Sequence, residues 1–379
     1  MPLLKKIEVK VDPDSWPALS DVPAELTALQ ASSPLQVDVL SALLFTAIWT
    51  RPPTQFGFSL SDCWAWLRYF PAIAKQERLK LCSAWTTLDP HHKTILSQDF
   101  GVGFSTWLLH GALRFVHYAD TLHVVNVLSP GVFYLKRTKK KGPSKSPDYI
   151  ATDAVGNFSV LECKGTQASR DALRDALKRG VPQKEGLRKI GKTKFKHSLV
   201  AGLFIPQWPS GERALFSICD PDWVDVKERL GRFTPNQIGR SLMQVSTAKE
   251  LALLELSNAA NTLSRAIEGR NDLREAIRLD LRRDRPVQPR VTTEQVSIQH
   301  EYRWSEPATL HEGVTSSGIR FSAALSMEQL EAITNRTNPA ELGEERWANR
   351  TTERWASRQT DRSVHMTSPL GVRYELTLL

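Results

Sequence analysis

Three side chains within residues 146–166 have the types needed to hydrolyse a phosphate ester. Asp148 precedes one short apolar run, and Glu162 and Lys164 end the next. Two convergent carboxylates and a carbonyl oxygen form a hard site for Mg²⁺ or Mn²⁺, which lowers the pKa of bound water and neutralises phosphoryl charge. A neighbouring amine can orient or deprotonate the attacking water and offset the charge that builds on the phosphate. These residue types predict metal-assisted attack on a phosphoryl group.

Two short strands joined by a turn must position these side chains. Strand-like runs over Tyr149 to Thr152 and Asn157 to Glu162 flank Asp153 to Gly156, whose glycine suits a hairpin. Asp148 would stand at the mouth of the first strand, so pairing in the hairpin would bring it across to the end of the second.

The alternation of side chains along a strand sorts the second run into two faces. Residues two apart share a face, so Glu162 and Lys164 are predicted to project together and Cys163 to the opposite side. Asp148 would then meet the pair at the rim of a sheet. The alternative is that Asp148 is a turn residue and that Glu162 and Lys164 form a surface ion pair.

The pattern resembles the PD-(D/E)xK nuclease superfamily, whose fold many restriction endonucleases share. Pro147-Asp148 matches the first half of the motif and Glu162-Cys163-Lys164 the second. The two acids are 14 residues apart, as a hairpin requires, and the resemblance covers about residues 95–220.

The resemblance implies a metal-dependent DNA endonuclease with Asp148, Glu162 and Lys164 as catalytic residues. Asp148, Glu162 and the carbonyl of Cys163 would ligate Mg²⁺ or Mn²⁺, and Lys164 would position the water. Asp99 matches an acidic residue that sometimes supplies a further metal ligand; the alternative is an acid that complements a helix N-terminus. In-line attack would leave 5′-phosphate and 3′-hydroxyl ends. The analogy favours prokaryotic restriction or anti-phage defence, although a fold does not fix a function.

Two glutamines lie where relatives sometimes place a phosphate-binding or water-binding residue. Gln167 comes three residues after Lys164, and Gln183 follows a helix predicted over Ala168 to Arg179, which Gly180 would end. Surface or capping positions are the alternative for both glutamines.

Basic residues flank the acidic motif on both sides. The formal net charge of +9 and the pI of 9.4 favour a polyanionic partner, for which we predict DNA. A charge run is usually a solvated loop, but the first run comes immediately before Pro147-Asp148, where its ammonium groups could hold phosphates beside the metal site. The predicted DNA-binding lysines are Lys139, Lys140, Lys141 and Lys145 in the first run and Lys184, Lys192 and Lys194 in the second.

Composition is that of a globular protein of two or three domains, with 379 residues, 41% hydrophobic and 24% charged. Four cysteines without CxxC spacing predict reduced thiols rather than zinc ligands or disulfides. Residues 1–6 lack the apolar core of a signal peptide, and the run Val37 to Trp49 is too short to cross a bilayer. We expect a cytoplasmic protein with no membrane partner.

The predicted fold class is α/β, with a restriction endonuclease-like core that has a mixed central sheet flanked by helices. A helix is predicted over residues 94–117, followed by strands at Thr121 to Val127 and Gly131 to Lys136 before the hairpin. The predicted units are a helical N-terminal region over 1–92, the nuclease core over 93–232, a long helix or a hairpin broken near Gly269 over 233–285, and an α+β module over 286–379.

Self-association, or a partner protein that supplies recognition or activation, is expected from the helical region. Two other functions stay open: a DNA-binding sensor subunit that does not cleave, and an assembly scaffold that neither binds nor cleaves DNA.

Overall fold

The computed structural model describes most of the chain, with gaps. The described residues are 4–16, 18, 21–50, 69–128, 133–135, 146–184, 187–189, 195–220, 235–265, 275, 279, 290–291, 294–311, 314–335, 356–360 and 362–379.

Helices and strands alternate through the first two thirds of these residues. The helices that position the site and its surroundings are α1 (Ala24–Ala31), α2 (Val39–Trp49), α3 (Pro90–Leu113), α4 (Arg170–Lys184), α5 (Pro235–Leu253), α6 (Ser257–Arg265) and α7 (Met327–Asn335). The strands are β1 (Leu4–Val11), β2 (Leu35–Asp38), β3 (Phe115–Asp120), β4 (Phe133–Leu135), β5 (Tyr149–Asp153), β6 (Phe158–Thr166), β7 (Leu187–Lys189), β8 (Phe195–Phe204), β9 (Leu215–Cys219), β10 (Arg290–Val291), β11 (Gln295–His311), β12 (Val314–Ser326), β13 (Ala356–Gln359), β14 (Ser363–Thr367) and β15 (Arg373–Leu378).

A mixed sheet forms the centre of the molecule. In the described residues its seven strands run in the order β2-β1-β9-β8-β6-β5-β3. Strands β3, β5 and β6 form an antiparallel meander, and α4 then crosses to β8, which runs parallel to β6. The predicted α/β class, with a mixed sheet flanked by helices, is confirmed. Strands β1 and β2 belong to this sheet, so the division predicted at residue 92 separates strands that fold together.

The first strand of the meander lies earlier than predicted. It is β3, whereas Thr121–His123 is a helical turn that continues through Val124–Leu128. The β-branched residues there were interpreted as a strand, but Val124 and Val125 pack against Leu242 and Val245 of α5. Packing overrides such propensity, which measures fit to a half-buried surface. The strand predicted over Gly131 to Lys136 lies in a separate two-stranded ribbon, as β4 paired with β7.

Helix α3 crosses the face of the sheet beneath the motif. It begins after Asp89, whose side chain accepts a hydrogen bond from the backbone N–H of His91 at 2.7 Å, with Pro90 in the first turn. It packs on β6, with Phe100 and Phe104 in the same buried cluster as Cys163. Because α3 ends at Leu113, the predicted helix of residues 94–117 starts too late and ends too late.

Helix α2 is the apolar run that the sequence indicated. All of its residues are buried, and the Asp38 side chain accepts a hydrogen bond from the Leu40 N–H at 3.1 Å to cap it. None of the described helices is both long enough and apolar enough to span a membrane.

The predicted long helix is broken earlier than expected. Helix α5 stops at Leu253, Glu255 adopts a left-handed φ of 62°, and α6 starts at Ser257. A glycine is the usual marker for such a break, but here the non-glycine residue Glu255 makes the turn. Gly269 lies outside the described residues.

A second sheet follows α6 in the chain. In the described residues six antiparallel strands run in the order β10-β11-β12-β15-β14-β13, with α7 between β12 and β13. This matches the predicted α+β composition of residues 286–379. Its Tyr374 hydroxyl donates to Glu250 of α5 at 3.1 Å, so this sheet packs against α5.

Candidate active site

The β5–β6 hairpin places the two acids of the motif directly opposite each other. Tyr149 pairs with Leu161, so the next position outward sets Asp148 against Glu162. The Asp148 N–H donates to Glu162 Oε2 at 3.1 Å, and the Cys163 N–H donates to Asp148 Oδ2 at 2.7 Å. The structure therefore brings these residues together, and Asp148 is held by the end of the neighbouring strand.

The turn that sets this register is built by its own polar side chain. Gly156 has a φ of 89°, which favours glycine, and its N–H donates to the Asp153 carbonyl at 3.0 Å. The Asp153 carboxylate accepts hydrogen bonds from the N–H groups of Val155 at 3.1 Å and Asn157 at 2.8 Å. The predicted hairpin turn is confirmed.

Lys164 shares a face of β6 with Glu162, as the period of the strand predicts. Its ammonium donates to Glu162 Oε1. Cys163 points into the core on the opposite face and is 8% exposed. The Lys164 side chain keeps 20% of its surface exposed, whereas Glu162 has none, so Lys164 is the member of this pair that solvent or a substrate can reach.

Burial disfavours the ionised form of both carboxyl groups. Burial, followed by the negative charge of Asp148, raises the pKa of Glu162 to about 8, against the lowering effect of the Lys164 ammonium. Burial also raises the pKa of Asp148, which the hydrogen bond from Cys163 and the charge of Lys164 oppose. Two acids that repel each other in a poorly solvated place are stabilised by a proton or by a bound cation.

The donor set fits a hard divalent cation with few protein ligands. Asp148 and Glu162 supply carboxylate oxygens, the ligand type that Mg²⁺ prefers. Within the described ranges no three or more His, Cys, Asp or Glu side chains are grouped so that they could hold a metal ion. A cation here would complete its coordination from the Cys163 carbonyl, water and substrate oxygens, since Mg²⁺ usually keeps several waters.

Asp99 lies on α3 and not on the hairpin that carries this pair. It is in the third turn of α3, and its Oδ2 accepts a hydrogen bond from the Tyr69 hydroxyl at 2.9 Å. The alternative role at a helix N-terminus does not apply, because Asp89 holds that position.

Gln167 occupies a structural position. It is 7% exposed, and its amide donates to the Lys93 carbonyl at 2.7 Å and to Ser97 Oγ at 2.8 Å. These bonds tie α3 to the segment that follows β6 and leave little of the side chain for nucleic acid.

The remaining predicted contacts with DNA fall largely outside the described residues. Helix α4 runs on to Lys184, past the end predicted at Gly180, and includes the backbone of Gln183 and Lys184. The lysines predicted to bind DNA that lie outside the described residues are Lys139, Lys140, Lys141, Lys145, Lys192 and Lys194. In the ribbon, Leu135 pairs with Leu187.

Two glycines that sequence reasoning did not assign to the site allow its close packing. A Cβ on Gly101 of α3 would lie 2.4 Å from the Lys164 carbonyl oxygen. A Cβ on Gly180 of α4 would lie 3.1 Å from Glu162 Cγ and 3.3 Å from Lys164 Cε. Glycine inside a helix lowers stability, so a glycine at such a position indicates that a larger residue would not fit against a neighbouring element. That was the sequence signal by which these two glycines could have been found.

Comparison with protein-family models, with curated proteins and with solved structures returned no match, so the functional argument rests on the geometry of the site.

Proposed function

We propose that this protein is a metal-dependent endonuclease that hydrolyses phosphodiester bonds in DNA, with a restriction endonuclease-like core. The observation that carries the proposal is that Glu162 contacts both the Asp148 N–H and the Lys164 ammonium where two adjacent strands meet. A buried pair of carboxyl groups destabilises a fold, and groups of this kind, with strongly shifted pKa values, occur mainly at functional sites.

The residues divide the chemistry between them. Asp148, Glu162 and the Cys163 carbonyl would hold Mg²⁺ or Mn²⁺, which lowers the pKa of bound water and neutralises phosphoryl charge. Lys164, partly exposed beside them, would orient the attacking water and stabilise the charge that develops on the phosphate.

The distribution of charge supports a nucleic acid as substrate. Residues 136–145 contain six Lys or Arg and no Asp or Glu, and residues 184–196 contain six Lys or Arg and one Glu. Their combined net charge of +11 exceeds the +9 of the whole chain, so the rest of the protein is close to neutral. Two runs of this kind, one of them immediately before Asp148 in the sequence, suit a phosphate backbone. Restriction or anti-phage defence in a prokaryotic cytoplasm is the setting that we propose.

One observation favours a second function, that of a DNA-binding sensor or scaffold subunit with weak or no cleavage. Both carboxylate oxygens of Glu162 and one of Asp148 already accept hydrogen bonds from the protein. A site that remained in this closed arrangement would bind DNA without acquiring a cation.

Plasmid digestion separates the two functions. The purified protein is incubated with supercoiled plasmid, and with single-stranded DNA, in Mg²⁺, in Mn²⁺ and in EDTA. We expect nicked and linear products with either metal and none in EDTA. Binding of DNA in a mobility-shift assay without cleavage under any of these conditions would favour the sensor subunit and contradict the nuclease.

A further inference from the structure

Helix α5 carries a fully buried cation close to the proposed site. Lys249 has no exposed surface, and its ammonium lies 2.5 Å from Asp120 Oδ2 and donates to the Trp49 carbonyl at 2.9 Å. It also lies 5.9 Å from the centroid of the Trp49 ring and 5.3 Å from that of Tyr149. Burying an ammonium raises the free energy of the folded state unless partners of this kind compensate for the lost water. Losing any one of these contacts would therefore destabilise the fold.

These partners connect to Asp148 through its neighbour Tyr149 and through Thr121. The hydroxyl of Tyr149, the next residue, donates to the same Trp49 carbonyl at 2.6 Å. Asp120 pairs with Tyr149 across β3 and β5, and the N–H of Thr121 donates to the Asp148 carbonyl at 3.1 Å. Lys249 therefore connects to the backbone of Asp148 by two routes. One is Tyr149, which Lys249 contacts and which follows Asp148 in the chain. The other is Thr121, which follows the Lys249 partner Asp120 and donates to the Asp148 carbonyl.

The helix that delivers Lys249 is itself held from the other side. Glu250, the next residue, accepts the hydrogen bond from Tyr374 of β15, so the second sheet braces this turn of α5. One turn earlier in α5, Ser246 Oγ lies 3.1 Å from Nδ1 of His117 on β3. That second polar tie lies three residues along β3 from Asp120, which makes it a matched control.

We propose that Lys249 is a positioning residue for Asp148: by holding Asp120, the Trp49 carbonyl and the Tyr149 ring together, it fixes where the Asp148 carboxylate lies. The proposal rests on the proposed nuclease function for its catalytic consequence. Its structural part, the fixed position of Asp148, does not depend on cleavage.

Hydrogen exchange at single-amide resolution on the metal-free protein tests the structural part. The amides to follow are Thr121 and Cys163, which donate to the carbonyl and the carboxylate of Asp148. In Lys249→Met we expect both amides to exchange roughly tenfold faster or more, because their acceptor is no longer held. Ser246→Ala should leave both at the parental rate.

Steady-state kinetics on plasmid DNA tests the catalytic part. Lys249→Met should lower kcat about 100-fold while KM for DNA stays within about twofold, since a misplacement near 1 Å is enough for such a loss. Ser246→Ala, which removes a buried tie of the same helix, should keep the parental kcat. Assays run at a temperature where circular dichroism shows each variant folded.

The outcomes are distinct. Parental exchange at Thr121 and Cys163 in folded Lys249→Met, or an unchanged kcat, overturns the positioning role. If Lys249→Met does not fold, the same two measurements are made on Asp120→Asn, which removes the negative charge beside the Lys249 ammonium. If the parent cleaves no substrate, the nuclease function fails and the exchange rates alone decide whether Lys249 positions Asp148.

Discussion

Replacing Lys164 by Ala should lower the rate of plasmid cleavage by about 10²- to 10⁴-fold, the range for loss of a positioned acid–base or charge-stabilising group. Two effects add. The attacking water and the phosphate lose the Lys164 ammonium, and Glu162 loses the cation that lowers its pKa. The pKa of Glu162 then rises above its already raised value, so a cation must displace a more tightly held proton and Glu162 is a poorer metal ligand.

Single-turnover rates on supercoiled plasmid measure this effect, with circular dichroism to confirm the fold. Lys10→Ala is the matched control, since Lys10 is an exposed lysine of β1, which β9 and β8 separate from β6. It should cleave at the parental rate. A Lys164→Ala protein that kept the parental rate would remove this residue from the chemistry.

Replacing Gly101 by Ala should destabilise the protein by about 1–3 kcal/mol or more, the cost of overpacking a tight interior. The added Cβ would lie 2.4 Å from the Lys164 carbonyl oxygen and 2.8 Å from the Gly165 nitrogen. Both are backbone atoms, so no side chain can rotate away, and α3 must separate from β6. Because the displaced strand carries Lys164, cleavage should fall as well.

Urea denaturation gives the free energy of unfolding, and the same helix offers the control. A Cβ on Gly111 meets nothing within 4 Å. Gly111→Ala should therefore stabilise the protein by about 0.5–1 kcal/mol through helix propensity. Equal effects of the two substitutions would contradict the close packing of α3 on β6.

Local rules were enough to predict the core of the candidate site. The period of two residues along a strand placed Glu162 and Lys164 on one face and Cys163 on the other, and the hairpin turn at Gly156 brought Asp148 opposite. Each of these inferences uses residues within about 16 positions of one another, where strand and turn geometry leave few alternatives.

Other features depend on contacts between distant segments and were missed or misplaced. The strand predicted at residues 121–127 is a helical turn because its valines pack on α5, more than 100 residues later. The hydrogen bond from Gln167 to α3 joins residues 74 positions apart, and no local pattern indicates it. The burial of Lys249 could not be predicted from the sequence, because a lysine in a helix normally lies at the surface. Its burial depends on Asp120 and Trp49, which are distant in the sequence.

The central claim is that Asp148 and Glu162 face each other to hold a catalytic cation. Asp148→Asn tests it most directly, because the amide has the same size and its oxygen can still accept from the Cys163 N–H. Isothermal titration with Mn²⁺ and plasmid cleavage are measured on the parent and on this variant. We predict that the parent binds Mn²⁺ and cleaves, and that Asp148→Asn, although folded, loses both. A folded Asp148→Asn protein with parental Mn²⁺ affinity and parental cleavage would contradict the account.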